Sequence, residues 1–153
     1  MLRYLWISAL VLALDQASKL AIVRYLAYRD EVSLLPFLNM AHTHNTGAAF
    51  GFLSGHSGWQ NFLFVAIAIS ISAMIVLWVR RLPKHDWRVA SALTLVLGGA
   101  LGNLLDRLMY GYVIDFIDVM FGSWHFWTFN IADSAISIGA VILVFDAFAA
   151  RKT

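Results

Sequence analysis

Four stretches of this chain are long enough and apolar enough to cross a bilayer as helices: about Leu2–Val23, Trp59–Val79, Val89–Met109 and Ile131–Ala149. A hydrocarbon core needs roughly 20 apolar residues per helical crossing. Inside it every backbone N–H and C=O must be paired within the segment. A chain of 153 residues with four such segments has little left for anything else. The expectation is therefore an all-α integral membrane protein, one membrane-embedded domain over residues 1–153, built as a four-helix bundle. Composition agrees, with 61% hydrophobic and 13% charged residues, against about half and a quarter in soluble domains. Both prolines, Pro36 and Pro83, fall between spans, where a missing N–H does no damage. The start, with Arg3 before an apolar run, has the look of a signal peptide. It lacks a small-x-small cleavage pattern, so it reads as a retained first helix.

The basic residues set the expected orientation. Arg80, Arg81, Lys84 and Arg88 crowd one connection, Arg151 and Lys152 lie in the tail, and Arg3 precedes span one. The connection after span one has Arg24 and Arg29 offset by Asp30 and Glu31, and the connection after span three has no lysine or arginine. The positive-inside rule then puts both termini in the cytoplasm and residues 24–58 and 110–130 outside. Trp59, Trp78, Trp87, Trp124 and Trp127 sit near span ends, as interfacial anchors do. In the outer connections, residues 32–53 read as a small sheet or cradle on the membrane surface. Residues 121–127 read as a turn with an aromatic flank dipping into the interface.

With no cysteine, disulfides, thiolate nucleophiles and zinc–thiolate sites are excluded. The net charge of +2 includes no basic run suited to nucleic acid. His42 and His44 alternate along the chain before Asn45, but without a second cluster they read as strand histidines, and no metal site is assigned.

Counting along the spans brings the polar residues to one depth. Asp15 and Lys19 fall in the outer half of span one, Asn103, Asp106 and Arg107 at the outer end of span three, and Asp133 in the first turn of span four. Asp115 lies in the outer loop just past span three. Ionisable groups near hydrocarbon are costly and mark functional sites by default. Asp15 and Lys19, four apart, stack on one helix face as an intrahelical ion pair. Asp106 and Arg107 with Asn103 form a second polar stripe, read as scaffold or substrate-holding. Gly98 and Gly102 form a Gly-x-x-x-Gly for close helix packing, with Gly99 alongside. Asp118 is either a helical neighbour of Asp115 or a solvated loop acid. Asp115 and Asp133, at a shared depth, suggest a pair that shares a proton and activates water. Asp133 could instead cap span four, a task Asn130 could perform equally well. A small four-span transporter or channel subunit, with Asp15, Lys19, Asp106 and Arg107 along an ion path, is the alternative; confinement of the polar groups to the outer half argues against it.

Four blocks, in order, carry a resemblance along nearly the whole chain: Asp15-Gln-Ala-Ser-Lys19, Asn45-Thr-Gly-Ala-Ala-Phe-Gly51, Gly99-Ala-Leu-Gly-Asn-Leu-Leu-Asp-Arg107 leading to Gly-Tyr-Val-Ile-Asp115, and Phe129-Asn-Ile-Ala-Asp133-Ser. The chain resembles the lipoprotein signal peptidases (signal peptidase II). The resemblance implies an aspartic endopeptidase of the bacterial cytoplasmic membrane that removes signal peptides from prolipoproteins just before a diacylglyceryl-modified cysteine. It implies a four-helix bundle with an extracytoplasmic β-cradle and a periplasmic loop or helix. By position, Asp115 and Asp133 would be the catalytic dyad, and Asp15, Lys19, Asn45, Gly47, Asn103, Asp106, Arg107, Asn130 and Ala132 would shape the site or hold substrate. The implied partners are a lipid-modified prolipoprotein and membrane lipids, with no cofactor and no nucleic acid, the protein acting as a monomer.

Overall fold

The computed structural model describes residues 1–47, 59–122 and 124–150. Four helices, α1 (Leu5–Tyr25, led by a 3-10 turn over Leu2–Tyr4), α2 (Trp59–Arg81), α3 (Trp87–Tyr110) and α4 (Ile131–Ala150), match the four expected spans. All four are long and apolar enough to cross a membrane. The third is the axis of the bundle: α1, α2 and α4 all pack on it. It is also the most amphipathic and carries the longest set of buried residues, Ala90 to Asp106. Between membrane helices there is no hydrophobic drive to associate, so contact depends on close backbone approach and on polar groups.

The glycines of α3 provide that approach, and they divide it between two partners. A Cβ on Gly98 would stand 2.7 Å from the Val11 Cβ of α1, whereas one on Gly99 would collide with the Ala132 carbonyl of α4. Gly102 meets both: a Cβ there would lie 2.6 Å from Asp15 Oδ2 and 3.3 Å from the Ala132 Cβ. The Gly-x-x-x-Gly thus makes room for a carboxylate as well as for a helix. Replacing Gly102 with alanine should push Asp15 off its partners and lower stability by about 1–3 kcal/mol. Thermal unfolding in detergent measures this, and an unchanged midpoint would contradict the packing described.

The chain is not all-α. β1 (Glu31–Leu35), β2 (Leu38–Asn45), β3 (Val113–Phe121) and β4 (Trp124–His125) form an antiparallel sheet in the order β1-β2-β3-β4 at one end of the bundle. The expected sheet over residues 32–53 is present as β1 and β2; its portion at 48–53 lies outside the described residues, as do Arg151 and Lys152 of the tail. Residues 113–121, read from sequence as loop, are instead the longest strand. Their burial runs on both faces from Val113 to Phe116, so the apolar-polar alternation that betrays a half-exposed strand is missing. One face packs Ile114 and Phe116 against Ile22 of α1. Residues 124–125 pair back on Met120 and Phe121, turning the aromatic flank into a short hairpin. Among the described residues there is no helix outside the four spans and the Leu2–Tyr4 turn. Gly111, at φ +81°, ends α3 in the left-handed conformation and lets the chain turn directly into β3.

Candidate active site

At the sheet end of the bundle, one lysine holds two acids. Lys19 Nζ lies 2.8 Å from Asp15 Oδ2, 2.8 Å from Asp106 Oδ2 and 3.0 Å from Asn103 Oδ1. These three acceptors saturate the three N–H groups of the ammonium. Asp15, Lys19 and Asp106 are each at most 2% exposed. The expected Asp15–Lys19 pair is therefore half of a larger cluster. The expected Asn103–Asp106–Arg107 stripe divides: Asp106 turns to Lys19, while Arg107 donates to the carbonyls of Asn103 and Gly47 and lies over the Phe64 ring. Adjacent positions on a helix point about 100° apart, which separates the two.

Each acid of the cluster clasps a distant backbone amide. Asp106 Oδ2 accepts from Ile114 N at 3.1 Å, and Asp15 Oδ1 accepts from Ala132 N at 2.9 Å. Those amides belong to the residues immediately before Asp115 and Asp133. The cluster thus fixes the start of β3 and the first turn of α4, the two elements that carry the candidate dyad. Gln16, to which the sequence reading gave no role, completes it by donating to Asp106 Oδ1 at 2.8 Å and to Asp15 Oδ2 and the Gly102 carbonyl at 3.2 Å. The signals for it were its place in the Asp15-Gln-Ala-Ser-Lys19 block and its adjacency to Asp15, and adjacency does not predict a shared helix face.

Asp115 and Asp133 meet around Asn130 and Asn103. Asp115 Oδ1 accepts from Asn130 Nδ2 at 2.7 Å, and its Oδ2 from Asn45 Nδ2 at 3.0 Å. Asp133 Oδ1 accepts from Asn103 Nδ2 at 2.7 Å. Asn130 and Asp133 also cap α4 reciprocally: Asp133 N donates to Asn130 Oδ1 at 2.9 Å, and Asn130 N to Asp133 Oδ2 at 3.3 Å. This is the capping-box arrangement, so both capping readings hold together, and one carboxylate oxygen of Asp133 still serves the site. Asn45 is itself held by Gly47, whose N–H donates to Asn45 Oδ1 at 3.0 Å. Ala132, fully buried, contributes its amide and a small side chain against Gly102. Asp118 is neither solvated nor helical: it is buried in β3 and accepts from His125 Nδ1 at 2.8 Å.

Asn45, Asn103, Arg107, Asp115 and Asp133 all line one cavity of about 780 Å³, whose wall continues along Trp127, Phe129 and the Ser134–Ile138 face of α4. Its size is that of a ligand site. Burial chiefly, and then the negative charge of Asp133, push the Asp115 carboxyl up to about 7, against the opposing hydrogen bonds from Asn45 and Asn130. Two acids beside a cavity, one of them pushed toward its neutral form, make an arrangement suited to general acid–base chemistry. Among the described residues no group of three or more His, Cys, Asp or Glu is placed to hold a metal ion.

Comparison with known proteins places the whole chain in one family. Residues 7–149 match the family model described as signal peptidase (SPase) II. A lipoprotein signal peptidase from Pseudoalteromonas translucida is 50% identical over 147 residues, 96% of this chain and 89% of that protein. One from Shewanella sediminis is 48% identical, covering 96% and 84%. A solved structure of a bacterial membrane enzyme, obtained by the in meso method, superposes with a TM-score of 0.88 at 32% identity, over 97% of this chain and 89% of that one. Another reaches 0.83 at 34% identity over 96% and 93%. Four membrane-length helices, a sheet at one end and a match running through every polar block lead to one conclusion: this chain is a multi-pass membrane protein that belongs to the signal peptidase II family.

Proposed function

We propose that the protein is an intramembrane aspartic endopeptidase that removes the signal peptide from diacylglyceryl-modified prolipoproteins, cutting before the lipidated cysteine. The observation that carries this reading is the convergence of Asp115 and Asp133, from different elements, on one asparagine and one cavity. Asp133 sits at the N-terminus of α4, where the helix dipole favours negative charge, and accepts from Asn103. It is assigned as the ionised base that takes a proton from water as the water attacks the scissile carbonyl. Asp115, whose burial favours the neutral acid, donates its proton to the carbonyl oxygen. The roles then exchange: the carbon–nitrogen bond breaks as the leaving amine takes the proton that Asp133 gained, and a hydroxyl of the tetrahedral intermediate returns a proton to Asp115 as the new carbonyl forms. Arg107 and Asn45, on the cavity wall, are placed to hold the substrate backbone.

The basic residues of the α2–α3 connection support a cytoplasmic placement for it, which puts the sheet and the site at the outer face of the bacterial inner membrane. At that depth a lipid anchored in the outer leaflet and an apolar signal helix can both reach the cavity. The protein is assigned as working alone, without a cofactor. A transporter would need Asp15, Lys19 and Asp106 free to face an ion path; here they satisfy one another.

The test is incubation of the purified protein with a diacylglyceryl-modified precursor and with its unlipidated form, in the presence of a strong chelator. Cleavage of the first alone, unaffected by chelation, is expected. Equal cleavage of both would remove the lipid from the reading, and loss restored by zinc would remove the aspartic mechanism. The rate should also fall as pH rises through about 7, because above that value Asp115 loses the proton it must donate. Initial rates between about pH 5 and 9 measure this. A rate that keeps rising across neutrality would contradict the assignment of Asp115 as the acid.

A further inference from the structure

His42 and His44 stand apart from the dyad, and nothing above uses them. Two residues apart on β2, they project from the same face of the strand. Their Nε2 atoms are 3.1 Å from each other. His42 Nδ1 lies 2.9 Å from the Leu26 carbonyl oxygen. A carbonyl only accepts, so Nδ1 carries the hydrogen and Nε2 presents its lone pair toward His44.

The pair is rigid. The His44 ring is stacked between Tyr28, at 4.1 Å and 23°, and Tyr112, at 3.9 Å and 18°. The His42 main chain is pinned on both sides, its carbonyl accepting from Arg29 N at 2.9 Å and its N–H donating to Asp30 O at 3.0 Å. His42 is 5% exposed, while His44 reaches the wall of the cavity that holds Asp115 and Asp133.

We infer that His42 and His44 form a two-histidine chelate for a borderline divalent cation of the copper or zinc class. With metal–nitrogen bonds of about 2.05 Å, nitrogens 3.1 Å apart subtend about 100° at the metal, between the square-planar and tetrahedral angles. The hydrogen bond from His42 Nδ1 to a backbone carbonyl is the outer contact that fixes a ligating tautomer and raises its basicity. His44 binds by carrying its proton on Nδ1 in place of Nε2, so no net proton need leave the pair. Among the described residues no third His, Cys, Asp or Glu joins them, and water completes the coordination shell. The metal has no part in hydrolysis. It sits across β2 from Thr43, which donates to the Asp115 carbonyl, and Asn45, which donates to its carboxylate.

Copper(II) is the probe, because it tops the divalent affinity order and reports its ligands by electron paramagnetic resonance. Titrated into the full-length protein in detergent, it should give one saturating signal with hyperfine structure from two imidazole nitrogens. His42→Gln and His44→Gln should each weaken binding by more than about ten-fold, with Asp133→Asn leaving it unchanged. Loss in Asp133→Asn would place the metal on the dyad and overturn the inference, as would binding that survives both glutamine variants. The two-nitrogen pattern of the unmodified protein stands even if a histidine variant fails to fold, and its absence at saturation would overturn the inference as well.

Discussion

Asp133→Asn and Asp115→Asn should each reduce cleavage of a lipidated precursor by on the order of 10³-fold or more, because two groups that act as one unit fail together when either is lost. Folding should survive both changes. At Asp133 the amide oxygen can keep the cap on the Asn130 N–H or the bond from Asn103, though not both, a loss of about 1 kcal/mol. At Asp115 one of the two asparagine donors loses its acceptor, with a similar effect. The double variant should be no slower than either single one. Single-turnover rates alongside thermal unfolding in the same detergent separate chemistry from folding. A single variant that still cuts at close to the native rate would eliminate the dyad.

Lys19→Met should be the most destabilising single substitution in the bundle, costing about 3–5 kcal/mol. Methionine fills nearly the same volume and leaves the carboxylates of Asp15 and Asp106 buried without their common cation. The damage should extend to activity, since those carboxylates hold the amides of Ile114 and Ala132, one residue ahead of each dyad member. A second change distinguishes lost charge balance from lost volume. Adding Asp106→Leu to Lys19→Met removes one orphaned charge and should recover part of the stability while leaving activity low, because Ile114 N then has no acceptor. Native thermal stability in Lys19→Met would show that the cluster is not what positions the site.

Much of this could be read from residues alone. Span positions follow from hydropathy because a bilayer enforces helical length and internal pairing of the backbone. The convergence of Asp15, Lys19, Asn103, Asp106 and Asp133 on one layer follows from counting along helices of known rise. The partners within that layer did not follow. Asp15 and Lys19 were legible as a pair because they lie one helical turn apart, whereas Lys19–Asp106 spans two helices and depends on how closely Gly102 lets α1 approach. Asp115 was misplaced in a loop because β3 is buried on both faces near its start, and period-two alternation vanishes when neither face meets water.

Four crossings, their polar layer and the two acids to suspect were all legible in the residues, since these depend on local hydropathy and on regular helix geometry. It took the packing of helices and sheet to make one lysine serve two acids, to set those acids on the backbone just ahead of Asp115 and Asp133, and to join the α4 cap to both through Asn130. Such bonds link residues 15 with 132 and 106 with 114. They exist because buried polar groups must find partners wherever the packing of helices and sheet happens to bring them.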